Sequence, residues 1–528
     1  MPRLLCCLAT SAMVLDIACS IAAAQPAESK RLGATSRFGI DYVFALGPYY
    51  REEKWPRTLA QTGAGWVDFA GVAWRQIEPR PPRDGRHTYR WEKLDAAVQL
   101  WQKHGFEITM WLRLGDGWFA GPIRHKPLGN ILKFNGSDRL PAVERMDDYR
   151  DWVRALVERY DADGHGDMPG LQRPILHYQC GNEYGNPMFW TGTLDDYVTL
   201  LKATCQAARA ACPQVKIISN GLRWNNFFHG DPKAEKVQER WKAFLARQPS
   251  DMHRDGWQRN YDFNLLTIKH ADLVDVIDVG GNGPWASMSA GYFTWTKREL
   301  AKVRLSGQQP ELWDAEARCE PRLVRHKQMS FHPDRFVPDG SKILRMVKRK
   351  TDPRHDEAVA WYRAEQARIC VKVFVTRFAA GAEKVFMGMP SDWDGTPAAL
   401  MAPNPYIGLL DRKCQPWPAY HAMRLLVSRL DGFASAEHVP AETGVELYRF
   451  TFADGRPVVW VAWLAEDTLR GLDDPLPKRR VTFKSVQGPV RVQPAPTTSQ
   501  LPQATRLTGP GPVTVHLTST PLVIDKGS

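Results

Sequence analysis

The chain has 528 residues, 43% of them hydrophobic and 24% charged. That is enough apolar material for one large packed domain with a smaller one beside it, and it excludes a disordered or fibrous chain. The formal net charge of +12 is basic enough to suit nucleic acid, but no binding module for it is recognisable, and the absence of GxGxxG and Walker patterns disfavours nucleotide binding.

The first 24 residues read as an export signal. Arg3 precedes an apolar run from Leu4 to Ala24 that closes on Ala22-Ala23-Ala24, a small-residue cleavage pattern. Asp16 interrupts the run, which leaves a buried N-terminal helix as the other reading and weakens a lipid anchor at Cys19. Residues 25–36 read as a linker, and no later stretch is long and apolar enough to span a bilayer. A secreted or periplasmic location follows as an expectation. Cys6, Cys7 and Cys19 fall in the signal. Cys180, Cys205, Cys212, Cys319, Cys370 and Cys414 remain, an even number that permits disulfides without choosing among pairings. With no CxxC pair beyond the signal, a structural zinc site is not expected.

From 37 to 433, β-rich apolar runs alternate with helical patterns, the signature of βαβ units. The predicted strands are Phe38–Phe44, Gly65–Phe69, Phe106–Trp111, Ile175–Cys180, Val215–Ser219, Leu273–Val279, Glu311–Ala315 and Lys384–Met387. Between them, Tyr149, Trp152, Val153, Leu156, Val157 and Tyr160 recur at helical spacing. So do Leu194, Tyr197, Leu200, Leu201 and Thr204, with Thr193 placed as N-cap, and a third helical run extends from Ala358 to Phe378. Eight strands with intervening helices predict an α/β fold, a (β/α)8 TIM barrel; an open doubly wound sheet is the alternative. From 434 to 528 helical periodicity stops, and short strands separated by Gly, Pro and Asp predict a small C-terminal antiparallel β-sandwich.

In such a barrel the chemistry sits at the C-terminal ends of the strands. Two carboxylates stand there: Glu183, in ILHYQCGNEYG after the fourth strand, and Glu316, in PELWDAEAR after the seventh. The fourth and seventh strands face each other across a barrel mouth. Two inward carboxylates there could straddle one glycosidic bond, one protonating the leaving oxygen and the other, ionised, attacking the anomeric carbon. A gap of about 5–5.5 Å gives a covalent intermediate and retention, whereas about 6.5–9.5 Å admits water and gives inversion. Asp314 and Glu320 compete with Glu316 on position alone.

The stretch CGNEYGNPMFWTGTLDDYVTLLKATCQAARAACPQVKIISNGL resembles the fourth-strand region of clan A glycoside hydrolases, especially the family 39 (β-xylosidase-like) enzymes. Three more segments agree: WVDFAGVAWRQIEPRPPRDGRHTYRWEKLDAAVQLWQKHGFEITM, with Trp74, Glu78-Pro79, Tyr89, Trp91 and Asp95; ELWDAEAR; and GLLDRKCQPWPAYHAMRLL. The resemblance spans residues 38 to 430, and the tail is similar to the family's accessory β-domain. It implies that Glu183 is the general acid/base, Glu316 the nucleophile and Asn182 a donor to the sugar hydroxyl beside the anomeric carbon, in a retaining mechanism without cofactor or catalytic metal. The chain departs from the pattern at Gly181, where Trp is usual, and at Tyr184, where Pro is usual. It also departs at Asp68, where many relatives have the Arg that orients the nucleophile, and at Gly280-Gly281-Asn282, where His and Tyr are missing. Arg113 could replace the missing cation or form an ordinary surface ion pair. Asn282 stands at a substrate-facing strand end. Trp118, Trp285 and Trp393 follow strand ends, where a ring can stack on a sugar, although most of the 20 tryptophans are expected in the core.

Asp161, Asp163, His165 and Asp167 form a DxDxHxD run that fits either a calcium loop or a plain polar turn; Gln172 at the twelfth position, where a Glu would be wanted, favours the turn. Between Ala317 and His355 eleven Lys or Arg oppose four Asp or Glu, +7 in one segment. On the catalytic rim this would attract an anionic polysaccharide; otherwise it is a solvated loop. The expected activity is hydrolysis of an extracellular polysaccharide or oligosaccharide, by a monomer or small homo-oligomer. A non-catalytic carbohydrate-binding barrel and a transglycosylase on the same scaffold are the alternatives.

Overall fold

The computed structural model describes residues 35–47, 49, 51–124, 137–186, 189–222, 233–280, 286–321, 323, 337–395, 404–465 and 470–526. The expected signal, most of the linker, Asn282, Trp285 and residues 322 and 324–336 of the basic segment lie outside them.

Eight parallel strands close into a barrel in sequence order: β1 (Phe38–Val43), β2 (Trp66–Ala73), β3 (Glu107–Arg113), β4 (His177–Cys180), β5 (Lys216–Ile218), β6 (Val276–Asp278), β7 (Glu311–Arg318) and β8 (Lys384–Gly388), with β8 pairing back to β1. All eight coincide with predicted strands. The helices between them are α1 (Lys54–Ala60), α2 (Trp74–Ile77), α3 (Glu92–Lys103), α4 (Met146–Tyr160), α5 (Leu194–Ala211), α6 (Ala234–Ala246), α7 (Asp251–Lys269), α8 (Ala286–Leu300), α9 (Gly340–Lys348), α10 (His355–Ala379) and α11 (Pro418–Leu430). Thr193 does cap α5: its hydroxyl accepts from the Asp196 amide while the Asp196 carboxylate accepts from the Thr193 amide, satisfying two orphan donors at once.

Alternation along the strands sorts side chains to two faces. Outward residues such as Phe38, Ile40, Val67 and Phe69 join the helices in one large core. Inward, Trp66, Ile218, Val276, Trp313 and Phe386 plug the lower barrel. Gly39 is small because a Cβ there would lie 2.4 Å from the Phe386 ring. His177 packs its ring against Trp66 and Trp313, and burial, helped by Lys384 and Lys216, lowers it to about 3. This plug floors the site above it.

The C-terminal strands form one six-stranded antiparallel sheet in the order β13-β12-β14-β11-β10-β9, from β9 (Ser435–His438), β10 (Val445–Thr451), β11 (Val459–Leu464), β12 (Arg479–Pro494), β13 (Thr505–Leu517) and β14 (Leu522–Asp525). Two of the short runs in the sequence, Arg480–Phe483 and Val490–Val492, are one strand. The β12–β13 ladder shifts register at Phe483/Gln487 and Gly488/Val490, and such bulges bend a strand. Phe483 and Val490, on either side of the bend, therefore share a core with Leu447, Leu464 and Ile524. Other sheet residues, among them Phe450 and Trp463, belong to the barrel's own core, where Phe433 bridges Phe378 and Phe450.

Candidate active site

The ends of β4 and β7 meet. Asn182 Nδ2 donates to Glu316 Oε2 at 3.1 Å, and the Gln179 amide donates to Asn182 Oδ1 at 3.2 Å, fixing which way Asn182 points. Glu316 is 5% exposed. Its other oxygen, Oε1, accepts from Arg318 Nη2 at 2.8 Å, while Arg318 Nη1 donates to Asp41 Oδ2 on β1, also at 2.8 Å. The guanidinium lies 4.6 Å from the centre of the Tyr42 ring.

A β-bulge makes this possible. Trp313 faces inward, and strict alternation would turn Glu316, three residues on, outward. The β7–β8 register shifts between Asp314 and Ala317, absorbing one residue. Ala317 then joins the outer core, while Glu316 and Arg318 face the barrel mouth. Asp314, the positional competitor of Glu316, points the other way and pairs with Arg377 of α10.

Glu183 follows Asn182 directly and is half-buried. It adopts a left-handed backbone, φ 49°, uncommon for a residue with a Cβ and concentrated at functional sites. Its carbonyl accepts from the Asn186 amide at 2.7 Å, which closes the turn. Tyr42, under Arg318, is also left-handed at φ 60°.

The departures at positions 181 and 184 explain each other. Gly181 has φ +73°, and a Cβ there would lie 2.2 Å from the Tyr184 ring. The glycine lets that ring fold back over the strand end, stacked on Trp190 at 4.5 Å between ring centres. The Tyr184 hydroxyl donates to Asp138 Oδ2 at 2.7 Å. Asp138 also accepts from Arg113 Nε and Nη2, at 3.1 and 3.3 Å, and from the Gly115 amide at 2.7 Å. Arg113 is thus a strut that secures the fully buried Asp138, and the cation on Glu316 is Arg318, not Arg113. Glu78 and Asp95 brace the barrel wall, Glu78 accepting from Trp74 and bonded to His87, Asp95 accepting from Arg159 and Tyr160.

Asp68, in the position where relatives carry Arg, faces inward and accepts from the Thr109 hydroxyl at 2.7 Å. Burial pushes it up to about 7 against that bond, with the Asp278 charge adding. Asp41 is likewise raised by burial against the pull of Arg318, and Asp68 adds to the push. One guanidinium therefore serves Asp41 and Glu316 over an acidic barrel interior.

A cleft of 820 Å³ flanks this cluster, lined by Phe44, Ala70, Arg75, Arg113, Trp393 and Arg412 among others. Its lining stops short of Glu316. Phe44, which lines it, meets Tyr42 at 5.7 Å between ring centres, and Tyr42 in turn carries the Arg318 guanidinium. Trp393 lines the cleft. Trp118 instead packs on Trp74 and Phe119, with Arg145 5.4 Å from its ring centre. Sequence reasoning missed Arg318, Asp41 and Asp138; only Arg318, two residues past Glu316 on the same strand, carried a local signal.

Neither a scan of protein-family models nor a search of curated proteins finds a match. Solved structures do share the fold. A monomeric beta-xylosidase from Caulobacter crescentus CB15 is 15% identical, covers 94% of this chain and 97% of its own, and superposes with a TM-score of 0.53. The GH39 enzyme from Xanthomonas axonopodis pv. citri is 12% identical, with coverages of 94% and 96% and a TM-score of 0.52. A glucosidase from Croceicoccus marinus, 12% identical, covers 89% and 91% at 0.50. At these identities the likeness is one of fold, a closed parallel barrel followed by an antiparallel sheet in this chain.

Proposed function

We propose that this chain is a retaining glycoside hydrolase in which Glu316 is the nucleophile and Glu183 the general acid/base. The observation that carries this is the clamp on Glu316. A nearly buried carboxylate that accepts from a guanidinium and from a side-chain amide is paired with a cation and aimed, as an attacking group must be. Glu183 sits half-buried in a left-handed turn at the adjoining strand end, with the Asn186 side-chain amide 3.5 Å from its Oε2, beside the clamped Glu316, where a general acid/base is wanted. Attack by Glu316 on the anomeric carbon, with proton transfer from Glu183 to the leaving oxygen, would yield a glycosyl-enzyme ester. Water, deprotonated by Glu183, would then release the sugar with its original configuration. Asn182, already bonded to Glu316, stands where it can also meet the hydroxyl beside the reacting carbon. A non-catalytic barrel is suggested by the missing Arg on β2 and the missing His after β6; Arg318 on Glu316 answers the first of these.

The substrate we infer is an extracellular carbohydrate bearing acidic groups, reached by an exported enzyme. Arg75 and Arg412 line the cleft and pair with no carboxylate among the described residues, so the wall is positive. No helix of the described residues is long and apolar enough to cross a membrane.

The test is a pair of variants on a panel of neutral and uronate-containing polysaccharides, with product configuration followed by NMR. Glu316→Ala should lose about three orders of magnitude in kcat or more. Glu183→Ala should lose about 10²–10⁴-fold, and less on substrates whose leaving group needs no proton. Inverted product, or a Glu316→Ala variant that cleaves at the wild-type rate, would refute the assignment.

A further inference from the structure

The loop from Asp161 to Asp167 joins α4 to β4 at the end of the barrel away from Asn182 and Glu183. Carboxylate oxygens of Asp161, Asp163 and Asp167 converge there, all within 4.8 Å of one another. Glu158, one turn back on α4, adds a fourth negative charge: a Cβ on Gly166 would lie 3.4 Å from its Oε1. Apart from the exposed His165 ring, 3.6 Å from Asp163 Oδ1, no basic group pairs with these carboxylates among the described residues. The neighbouring Arg159 is turned onto Asp95.

Like charges this close repel and drive a free loop apart, yet this one is tightly organised. Left-handed residues at Ala162, Gly164 and Gly166, with φ of 60°, 97° and 63°, coil it. The Ala162 and Gly164 amides donate to Asp167 at 2.9 and 2.7 Å, and the His165 amide donates to Asp163 at 2.8 Å. Both ends are pinned, by Met168 N–H to the Arg159 carbonyl and Ile175 N–H to the Tyr160 carbonyl. An independent observation concerns Asp161 itself. It is 8% exposed, and its Oδ1 is fully buried with no hydrogen-bond donor. A buried carboxylate oxygen without a donor costs several kcal/mol or takes up a cation.

We propose that Asp161, Asp163 and Asp167 form a binding site for a hard divalent cation of the calcium class, which ties the end of α4 to the start of β4. Carboxylates at positions 161, 163 and 167 of a glycine-turned loop give oxygen ligands from flexible backbone, the arrangement that suits calcium's six to eight oxygens better than magnesium's strict octahedron. The remaining ligands would be loop carbonyls and water. The proposal does not depend on the chemistry at Glu316, since the site lies at the opposite strand end.

The experiment uses the full chain, freed of metal with a chelator and then titrated with CaCl2 by calorimetry, with melting followed in parallel. The expected result is one site per chain and a rise in Tm on the order of 5 °C at a hundredfold excess over Kd. Asp163→Asn is the chief variant, because Asp163 is exposed and its loss leaves the chelated protein folded. It should keep the chelated Tm and lose at least tenfold in calcium affinity. Asp167→Asn should also lose calcium affinity, but its single amide oxygen can keep only one of the two backbone contacts that Oδ1 and Oδ2 accept, so it should lower the chelated Tm as well. No calcium-dependent shift in the wild type, an equal shift with MgCl2, or an undiminished shift in Asp163→Asn would overturn the proposal.

Discussion

Arg318 does at one position what two neighbouring strands would otherwise share. Its planar fork reaches Glu316 and Asp41 at once, a geometry that a lysine's single ammonium cannot reproduce. Removing the guanidinium makes ionised Glu316 costlier to hold, so the acid limb of the pH–rate profile should move toward higher pH. We expect Arg318→Met to lower kcat/KM by about 10²-fold, in the range typical of lost charge stabilisation at an active site. Arg318→Lys should be intermediate, and both should shift the acid limb. A purely structural role would lower Tm and leave the limb in place. Gly388 gives a second handle on the same contact. A methyl there would lie 2.2 Å from Arg318 Nη1 and 3.0 Å from Asp41 Oδ2, so Gly388→Ala should displace the guanidinium and reproduce the pH shift without altering any charged residue.

At the scale of elements, the turn after β4 shows how a strand end is shaped for function. Gly181→Ala would place its Cβ inside the Tyr184 ring at a backbone angle that costs an L-residue about 1–2 kcal/mol. The variant should melt several degrees lower and lose activity, because the displaced ring carries the backbone of Asn182 and Glu183 with it. Trimming Tyr184 to Ala should recover part of the loss, so the double variant should be less damaged than the sum of the two single changes; strict additivity would refute the coupling. The strands themselves were legible because each is a short β-rich run bounded by turn residues, and the Asn182-Glu183 and Glu316 positions followed from where those runs stop. The orientation of Glu316 was not legible. Period-two alternation from Trp313 sends it outward, and the bulge that corrects this is visible only in the β7–β8 register. The cation was not legible for a related reason: Asp41, which holds Arg318, is 277 residues away in sequence, and in the relatives' pattern the corresponding Arg stands on β2. Arg113 had the right charge at a strand end, but Asp138, from the insertion after β3, takes it up.

For the whole molecule, buried ion pairs are the recurrent fastening. Arg363 joins α10 to Asp392 after β8, Arg377 joins α10 to Asp314 on β7, and Arg318 joins β7 to Asp41 on β1. Asp68 breaks the pattern, since its bonded partner is a hydroxyl rather than a guanidinium. Its carboxyl sits at about 7 in the fold against an ordinary 3.8, so between those values the folded state keeps a proton that the unfolded chain has released. The contribution of Asp68 to stability should therefore fall as pH rises from about 4 to about 7 and level off above, by at most on the order of 4 kcal/mol for a shift of about three units. That is a large share of the 5–15 kcal/mol typical of a folded protein. Asp68→Asn keeps an oxygen for the Thr109 hydroxyl and removes the titration. Denaturation midpoints at pH 4, 6 and 8 should coincide with the wild type at pH 4 and exceed it increasingly at pH 6 and 8. Parallel pH curves for the two proteins would show that Asp68 is already ionised in the fold, and that the acidic interior is neutralised by some route other than a proton held on this side chain.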